Sequence, residues 1–235
     1  MPMAVRLDKY LSSNHPDIAI AAALLFLAGL VDAIAFVVLK GSFVAFMSGN
    51  STILGASTAA GGWSTIAVVA GLVAAFFGGA VGGAALGRWG GQHSPVWVLV
   101  AVTVTLLAGT VVALTASPTA GMIVVATATG AINSALSHTS AVPGGLTYVT
   151  GTLVKSAHEL VASLGTDRPW AWLAVFWMWP VFVLGAVCGG FAERHWGVAG
   201  LWAGVAIAAC TLLLRVAETL SRGNSRSDGT ERAAG

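Results

Sequence analysis

The side chain that stands out chemically is Asp32, because it lies within the apolar run LLFLAGLVDAIAFVVL at positions 24–39. A charge inside an apolar membrane segment is costly, and such residues usually mark functional sites. Helical spacing puts Gly29 and Ala33 on the same face as Asp32, so another backbone could approach the carboxylate. We therefore expect Asp32 to face protein or a cavity and to meet polar groups, for example from residues 49–52. The alternative is a hydrogen bond that only packs one helix against another.

A second polar stretch, GNSTILG, interrupts the next apolar segment at positions 49–55. Asn50, Ser51 and Thr52 in a row disturb a helix or cap one, and irregular backbone at membrane depth needs protein or a water-filled cavity around it. Freed amides there could bind a polar or anionic solute at a helix N-terminus. The alternative interpretation is a tight helix crossing in which Gly49 is the contact point.

Both features have counterparts in the second half of the chain. Asn133 matches Asp32, and the run VTGTL at 149–153 matches the polar stretch. Paired, glycine-interrupted segments in corresponding positions are the best sequence indication of a transporter binding site. The predicted substrate-binding residues are therefore Asp32, Gly49, Asn50, Ser51, Asn133, Thr150, Gly151 and Thr152.

Three ionisable residues after VTGTL are candidate accessory groups. Lys155 and Glu159 are four residues apart and can pair on one helical face, and His158 titrates near neutral pH. An ion pair at the membrane surface is the alternative to a role in the site. No nucleophilic triad, phosphate-binding loop or close set of metal ligands is visible in the sequence. We therefore expect a protein that is not an enzyme and that needs no cofactor or metal.

The composition is that of a membrane protein. Of 235 residues, 57% are hydrophobic and only 9% are charged, whereas soluble domains carry about 25% charged residues. The lipid bilayer must therefore cover much of the surface, and 30 glycines suit close packing of membrane helices. Cys188 and Cys210 lie in apolar segments, where we expect small buried packing residues. A net charge of +2 does not indicate a nucleic-acid partner, and a homo-oligomer is left open.

Eight apolar segments must position these residues. A full helical span needs roughly 20 residues, and the second and sixth segments are the weakest because polar residues interrupt them. The segments cover 18–39, 43–60, 66–86, 96–114, 121–136, 146–164, 171–191 and 201–220. We predict an all-α integral membrane protein with a polar N-terminal segment at 1–16, one transmembrane domain at 17–222 and a disordered polar tail at 223–235.

The chain also repeats itself with a nearly constant offset. Four similar pairs occur in the same order, 101 to 106 residues apart. They are GLVDA at 29 and GAINS at 130, MSGNS at 47 and VTGTL at 149, GAVGGAALGR at 79 and GAVCGGFAER at 185, and TLL at 105 and 211. This order predicts a helical bundle of two internal repeats, 17–114 and 119–220, each with four apolar segments.

The number of spans decides how the two repeats are related. If the second and sixth segments are re-entrant or broken, each repeat has three spans and the copies are inverted. If all eight segments span, the copies are parallel. The inverted arrangement places nearly all Lys and Arg residues inside, with Lys40 and Arg194 outside, so the positive-inside rule favours it. Both termini are then cytoplasmic.

Several of these motifs together resemble a known family. The runs GLVDAIAF, GSFVAFMSGNST and GAVGGAALGR, followed by GAINSALSH and GGLTYVTGTLVK, are similar to the YoaK family of small bacterial multi-pass membrane proteins, a family of unknown function. The similarity extends over about residues 18–220 and implies a protein of the bacterial inner membrane. It implies no substrate.

Three classes of function are compatible with these sequence features. The leading hypothesis is a small secondary transporter or permease for a small polar or anionic solute, built as an inverted repeat. The second is a non-transporting structural or partner-binding membrane protein that packs through its glycines. A membrane-embedded enzyme is the third.

Overall fold

A computed structural model describes residues 15–135 and 148–234, except for the side chains of residues 15, 16, 92 and 222–234. These ranges are helical and contain no strand. The α-helices are α1 (His15–Val38), α2 (Met47–Ala60), α3 (Trp63–Trp89), α4 (Ser94–Thr115), α5 (Pro118–Ile132), α6 (Val149–Ser163), α7 (Leu173–Phe176), α8 (Met178–Trp196) and α9 (Leu201–Ala234). Short 3-10 helices precede α4 and α9, at Gly91–His93 and Gly197–Gly200.

The helices differ in whether they are long enough to cross a bilayer. Helices α1, α3 and α4 are long and apolar enough, as is the region Leu173–Ser221 that contains α8 and α9. Helices α2 and α6 have only 14 and 15 residues, which corresponds to roughly 21–23 Å against a hydrocarbon core of about 30 Å. The all-α membrane fold is therefore confirmed. The second and sixth segments form short helices, and so does the fifth, since α5 has 15 residues.

Local turn chemistry sets where the first helices end. Helix α1 ends in a left-handed turn at Lys40, with φ 53°, and the Gly41 N–H donates to the Phe36 carbonyl at 2.8 Å. This geometry matches a Schellman motif. Helix α2 ends at Gly61, whose φ of 71° suits a residue without a Cβ. The chain then turns directly into α3.

Helices α1 and α8 pack with their backbones in contact. A Cβ atom on Gly29 would clash with the carbonyl oxygen of Phe182, and one on Gly185 would clash with that of Phe26. Two helices approach this closely only when glycines stand at the crossing. The pair α1–α8 is therefore a tightly joined unit.

Helices α3 and α5 are joined in the same way. A Cβ on Gly130 would clash with the carbonyl oxygen of Phe76, and one on Gly79 would clash with that of Thr127. Each of these four residues is the counterpart, at the offset of 101 or 106 seen in the sequence, of a residue in the α1–α8 contact. The two crossings are thus matched residue by residue, with α1 corresponding to α5 and α8 to α3.

The predicted helix break at residues 49–52 is wrong. Helix α2 begins at Met47 and continues through this stretch, and the irregular backbone lies before it, at residues 39–46. The hydroxyls of Ser51 and Thr52 donate to carbonyls one turn back in the same helix, so polar side chains are satisfied without any break. In the second half, residues 150–152 likewise belong to the first turn of α6.

One smaller expectation, the burial of the two cysteines, also differs from the structure. Cys188 and Cys210 are exposed on the helical surface rather than buried, because their helices turn those faces outward. The backbone of α9 continues as a helix as far as Ala234, and the disorder expected of the tail at 223–235 stays a prediction. Extending an existing helix avoids the cost of nucleation, so a polar segment can continue the helix that precedes it.

Candidate functional site

Asp32 is buried on α1, about 9 Å before the end of that helix at Val38. Its Oδ1 atom accepts the backbone N–H groups of Val44 and Ala45, both at 2.8 Å. The N–H of Phe46 also lies beside the carboxylate. Asp32 therefore faces protein, as its context predicts. Its donors come from the linker before α2, however, and not from residues 49–52.

Asn50 holds the same linker from the other side. Its Oδ1 accepts the Phe43 N–H at 3.0 Å, and its Nδ2 donates to the Phe43 carbonyl at 2.7 Å. The side chain is completely buried. Thr129 of α5 donates its hydroxyl to the Val44 carbonyl. Side chains of three helices thus satisfy the irregular backbone, which has to be paired at membrane depth.

The remaining polar residues of the GNSTILG stretch point elsewhere. Ser51 is exposed and bonds to its own helix. Gly49 is needed because a Cβ there would clash with the ring of Phe46, the residue that caps α2. Gly151 stands in the same relation to the ring of Tyr148, which caps α6. Both glycines therefore make room for an aromatic ring at a helix start.

A cavity of about 640 Å³ lies beside Asp32 and is bounded by both halves of the chain. Its size is in the usual range for sites that bind small molecules. The lining residues are Asp32, Phe43, Ala45, Phe46, Met47, Ser48, Phe76, Ala80, Asn133, Tyr148, Val149, Thr150, Trp179, Phe182 and Val183.

The cavity brings together three of the eight predicted site residues, namely Asp32, Asn133 and Thr150. The other five do not line it. Asn50 clamps the linker, and Thr152 is buried with its hydroxyl donating to the Val149 carbonyl at 2.6 Å. Gly49, Gly151 and Ser51 have the roles described above.

The lining is matched between the two halves. Residues at positions that match between the two halves of the sequence meet in one space, although they are about a hundred positions apart in the chain. The matched pairs are Asp32 and Asn133, Phe46 and Tyr148, Met47 and Val149, Ser48 and Thr150, and Phe76 and Phe182. The aromatic members were not predicted from the sequence, because a Phe in an apolar segment looks the same whether it packs against lipid or lines a cavity.

Asn133, the counterpart of Asp32 in the second half of the chain, lies directly after the last residue of α5. Its Nδ2 donates to the Thr129 carbonyl one turn back at 3.2 Å. Thr129 also bonds to the linker after α1. Helix α5 is therefore connected to the Asp32 side of the cavity through Thr129 and lines the cavity through Asn133.

The predicted accessory residues Lys155, His158 and Glu159 do not line the cavity. Glu159 is buried in α6, Lys155 is half-buried and His158 is exposed. The ion pairs found among the described residues do not include a Lys155–Glu159 pair. Their accessory role therefore stays a prediction.

An ion-pair cluster that the sequence did not indicate joins α1 to α9. Arg215 donates to Asp17 at 2.8 Å and to Glu218 at 2.9 Å, and all three side chains are largely buried. Asp17 and Arg215 are 198 residues apart, so no local pattern could have paired them. Within the described ranges, no cluster of three His, Cys, Asp or Glu residues forms a metal site.

Comparisons with known proteins agree with a membrane protein. The chain matches a family model described as "Protein of unknown function (DUF1275)" over residues 20–214. It is 29% identical to the UPF0700 transmembrane protein RA0705 of Rhizobium meliloti (strain 1021) over 185 residues, which are 79% of this chain and 80% of that protein. No solved structure is significantly similar to it. The resemblance seen in the motifs is thereby confirmed, and because the family model covers most of its length, the chain belongs to the DUF1275 family of membrane proteins.

Proposed function

We propose that this protein is a small secondary transporter or permease whose cavity beside Asp32 binds the transported solute. One observation carries the proposal: corresponding residues from both halves of the chain line a single cavity of about 640 Å³. Transporters built from internal repeats place their solute site at the interface of the repeats, next to interrupted helices. Here the corresponding feature is the irregular linker at residues 39–46, which leads into the short α2.

The same proposal includes two inverted repeats in a bacterial inner membrane, with both termini in the cytoplasm. The matched glycine crossings of α1–α8 and α3–α5 support an internal repeat. If the apolar 15-residue α5 spans, whereas the more polar α2 and α6 do not, each repeat has three spans, and an odd number requires the second copy to be inverted. The distribution of Lys and Arg residues supports the orientation.

The position of the cavity indicates how the protein would move. Asp32 and Phe182 belong to the α1–α8 unit, whereas Phe76 and Asn133 belong to α3 and α5. The cavity therefore lies between two tightly joined helix pairs. Rocking one pair against the other would open the cavity first to one side of the membrane and then to the other.

A structural or partner-binding role is the competing proposal, and one observation favours it. Within the described part of the chain, Asp32 and Asn50 form hydrogen bonds with backbone nitrogen and oxygen atoms of residues 43–46. A purely structural role would require such bonds. The two proposals differ in the cavity. Transport needs it to be filled with water and accessible, whereas a structural protein can keep it closed.

The test is chemical access to the cavity, which requires no knowledge of the solute. In a C188A/C210A background, Ser48→Cys and Thr150→Cys should react with a membrane-impermeant, charged thiol reagent. Each should react from both sides of the membrane in vesicles of defined orientation. Leu213→Cys on the outer face of α9 is the control and should not react, because lipid excludes the reagent. Unreactive cysteines at both cavity positions would overturn the transporter proposal in favour of the structural one.

A further inference from the structure

The charge of the residues that line the cavity indicates the charge of the solute. Among the described residues that line the cavity, Asp32 is the one carboxylic acid, and there is no Lys, Arg or His. The ion pairs found among the described residues belong to Arg215 and leave Asp32 without a cationic partner. A carboxylate within a membrane segment is normally paired. The missing positive charge can be supplied by the occupant of the cavity.

Aromatic rings are a second indication of the solute. Six of the fifteen described residues in the lining are aromatic, and they are Phe43, Phe46, Phe76, Tyr148, Trp179 and Phe182. Three of them keep much of their surface uncovered by protein, with Tyr148 62%, Phe46 41% and Trp179 37% exposed. Uncovered aromatic faces next to a carboxylate are the chemistry that recognises an organic cation.

The helix N-termini at the cavity favour an anion, but they do not outweigh the carboxylate. Each N-terminus carries about half a positive charge, which acts only over the first turn. The start of α2 already lies beside the carboxylate of Asp32, which binds the linker leading into that helix. A bound anion would add a second negative charge near Asp32. An inorganic divalent cation fits poorly as well, since Ca²⁺ takes six to eight oxygen ligands.

We propose that the cavity takes a monovalent organic cation with an apolar or aromatic body, held by Asp32 and by the ring faces of Phe46, Tyr148 and Trp179. This assignment rests on the proposed function for the identity of the site. It replaces the polar or anionic solute expected from the sequence. The cationic group would lie against Asp32, and the apolar body would lie among the rings.

Three probes of one shape and different charge test the assignment. Benzyltrimethylammonium is the cation, neopentylbenzene is its neutral isostere, and phenylmethanesulfonate is the anion. Binding is measured as the shift in Tm of the full chain in lipid nanodiscs, because a bound ligand stabilises the folded state by mass action. The cation should raise the Tm at concentrations about tenfold lower than the neutral isostere requires, and the anion should have no effect.

Two variants connect the shift to the cavity. Asp32→Asn should weaken binding of the cation about tenfold or more, and Trp179→Leu should weaken it several-fold. Asp17→Asn is the matched control, because it removes a carboxylate outside the cavity and should keep the full shift. If Asp32→Asn does not fold, the Trp179→Leu variant still tests whether the cation binds in the cavity.

The outcomes separate this assignment from the transporter proposal. Stabilisation by the sulfonate, equal stabilisation by the neutral isostere, or no shift with the cation would overturn the assignment. Reactive cavity cysteines without cation binding would leave a transporter for another class of solute. Cation binding with unreactive cysteines would indicate a cation site in a protein that does not transport.

Discussion

At the scale of single residues, Asp32 has two roles that are separable. Its Oδ1 atom fixes the linker through the N–H groups of Val44 and Ala45, and Asp32 is also one of the residues that line the cavity. The first role needs only a hydrogen-bond acceptor. The second, if the cavity binds a cation, needs a negative charge.

Substitution at position 32 should therefore separate stability from activity. Asp32→Asn keeps an acceptor for the two N–H groups, so we expect a Tm close to that of the parent, since interhelical hydrogen bonds in membranes average about 0.6 kcal/mol. Asp32→Leu leaves both buried N–H groups unpaired, at about 1–3 kcal/mol each, and should lower the Tm clearly. Thermal unfolding in nanodiscs measures both.

Uptake of benzyltrimethylammonium into proteoliposomes measures the second role. Asp32→Asn should lose most of the uptake that the parent has, despite its near-parent stability. Full uptake by Asp32→Asn would show that the charge is dispensable and leave Asp32 as an anchor of the linker alone.

At the scale of helices, glycine decides which pairs of elements come together. Gly79 lies against the backbone of Thr127 in α5, whereas its neighbour Gly78 faces open space on the outside of α3. The same contrast occurs on α8, where Gly189 lies against Leu30 and Gly190 is open. In each of these helices, one of two adjacent glycines packs against a neighbouring helix and the other does not.

This contrast gives a matched prediction. Gly79→Ala should destabilise the protein by about 1–3 kcal/mol, because the new methyl group clashes with backbone that cannot rotate away. Gly78→Ala should leave the Tm unchanged or raise it slightly, since alanine favours helix more than glycine does. Thermal unfolding of the two variants checks this. Equal effects of both substitutions would contradict the close α3–α5 crossing.

At the scale of the whole molecule, the main consequence concerns topology. In the proposed inverted arrangement, α2 does not span, and the chain crosses the membrane once between the end of α1 and the turn before α4. An eight-span arrangement would reverse the side of the membrane on which that turn lies. The two arrangements also differ at the turn between α4 and α5.

Single cysteines at these two turns distinguish the arrangements. In the C188A/C210A background, His93→Cys should react with an impermeant thiol reagent only from the cytoplasmic side, and Ala116→Cys only from the opposite side. In the inverted arrangement, α4 begins at the cytoplasmic side near His93 and ends at the opposite side near Ala116. Both positions are exposed at helix ends, so access is expected. The reversed pattern would favour eight spans and parallel repeats.

The sequence by itself determined the class of the protein and much of its layout. Hydropathy and the low charge indicate a helical membrane protein, because the bilayer imposes its requirement on each segment separately. The second and sixth apolar segments, which polar residues interrupt, correspond to the short helices α2 and α6. The predicted break at residues 49–52 was wrong, because Ser51 and Thr52 can satisfy their hydroxyls within a helix.

Only the tertiary structure decided which groups meet. Asp32 binds the N–H groups of Val44 and Ala45 because the linker folds back along α1, and Arg215 reaches Asp17 because α9 packs against α1. The cavity and its aromatic wall likewise arise where helices from both halves approach. Contacts between segments far apart in the chain depend on how the helices pack, and neither composition nor local spacing contains that information.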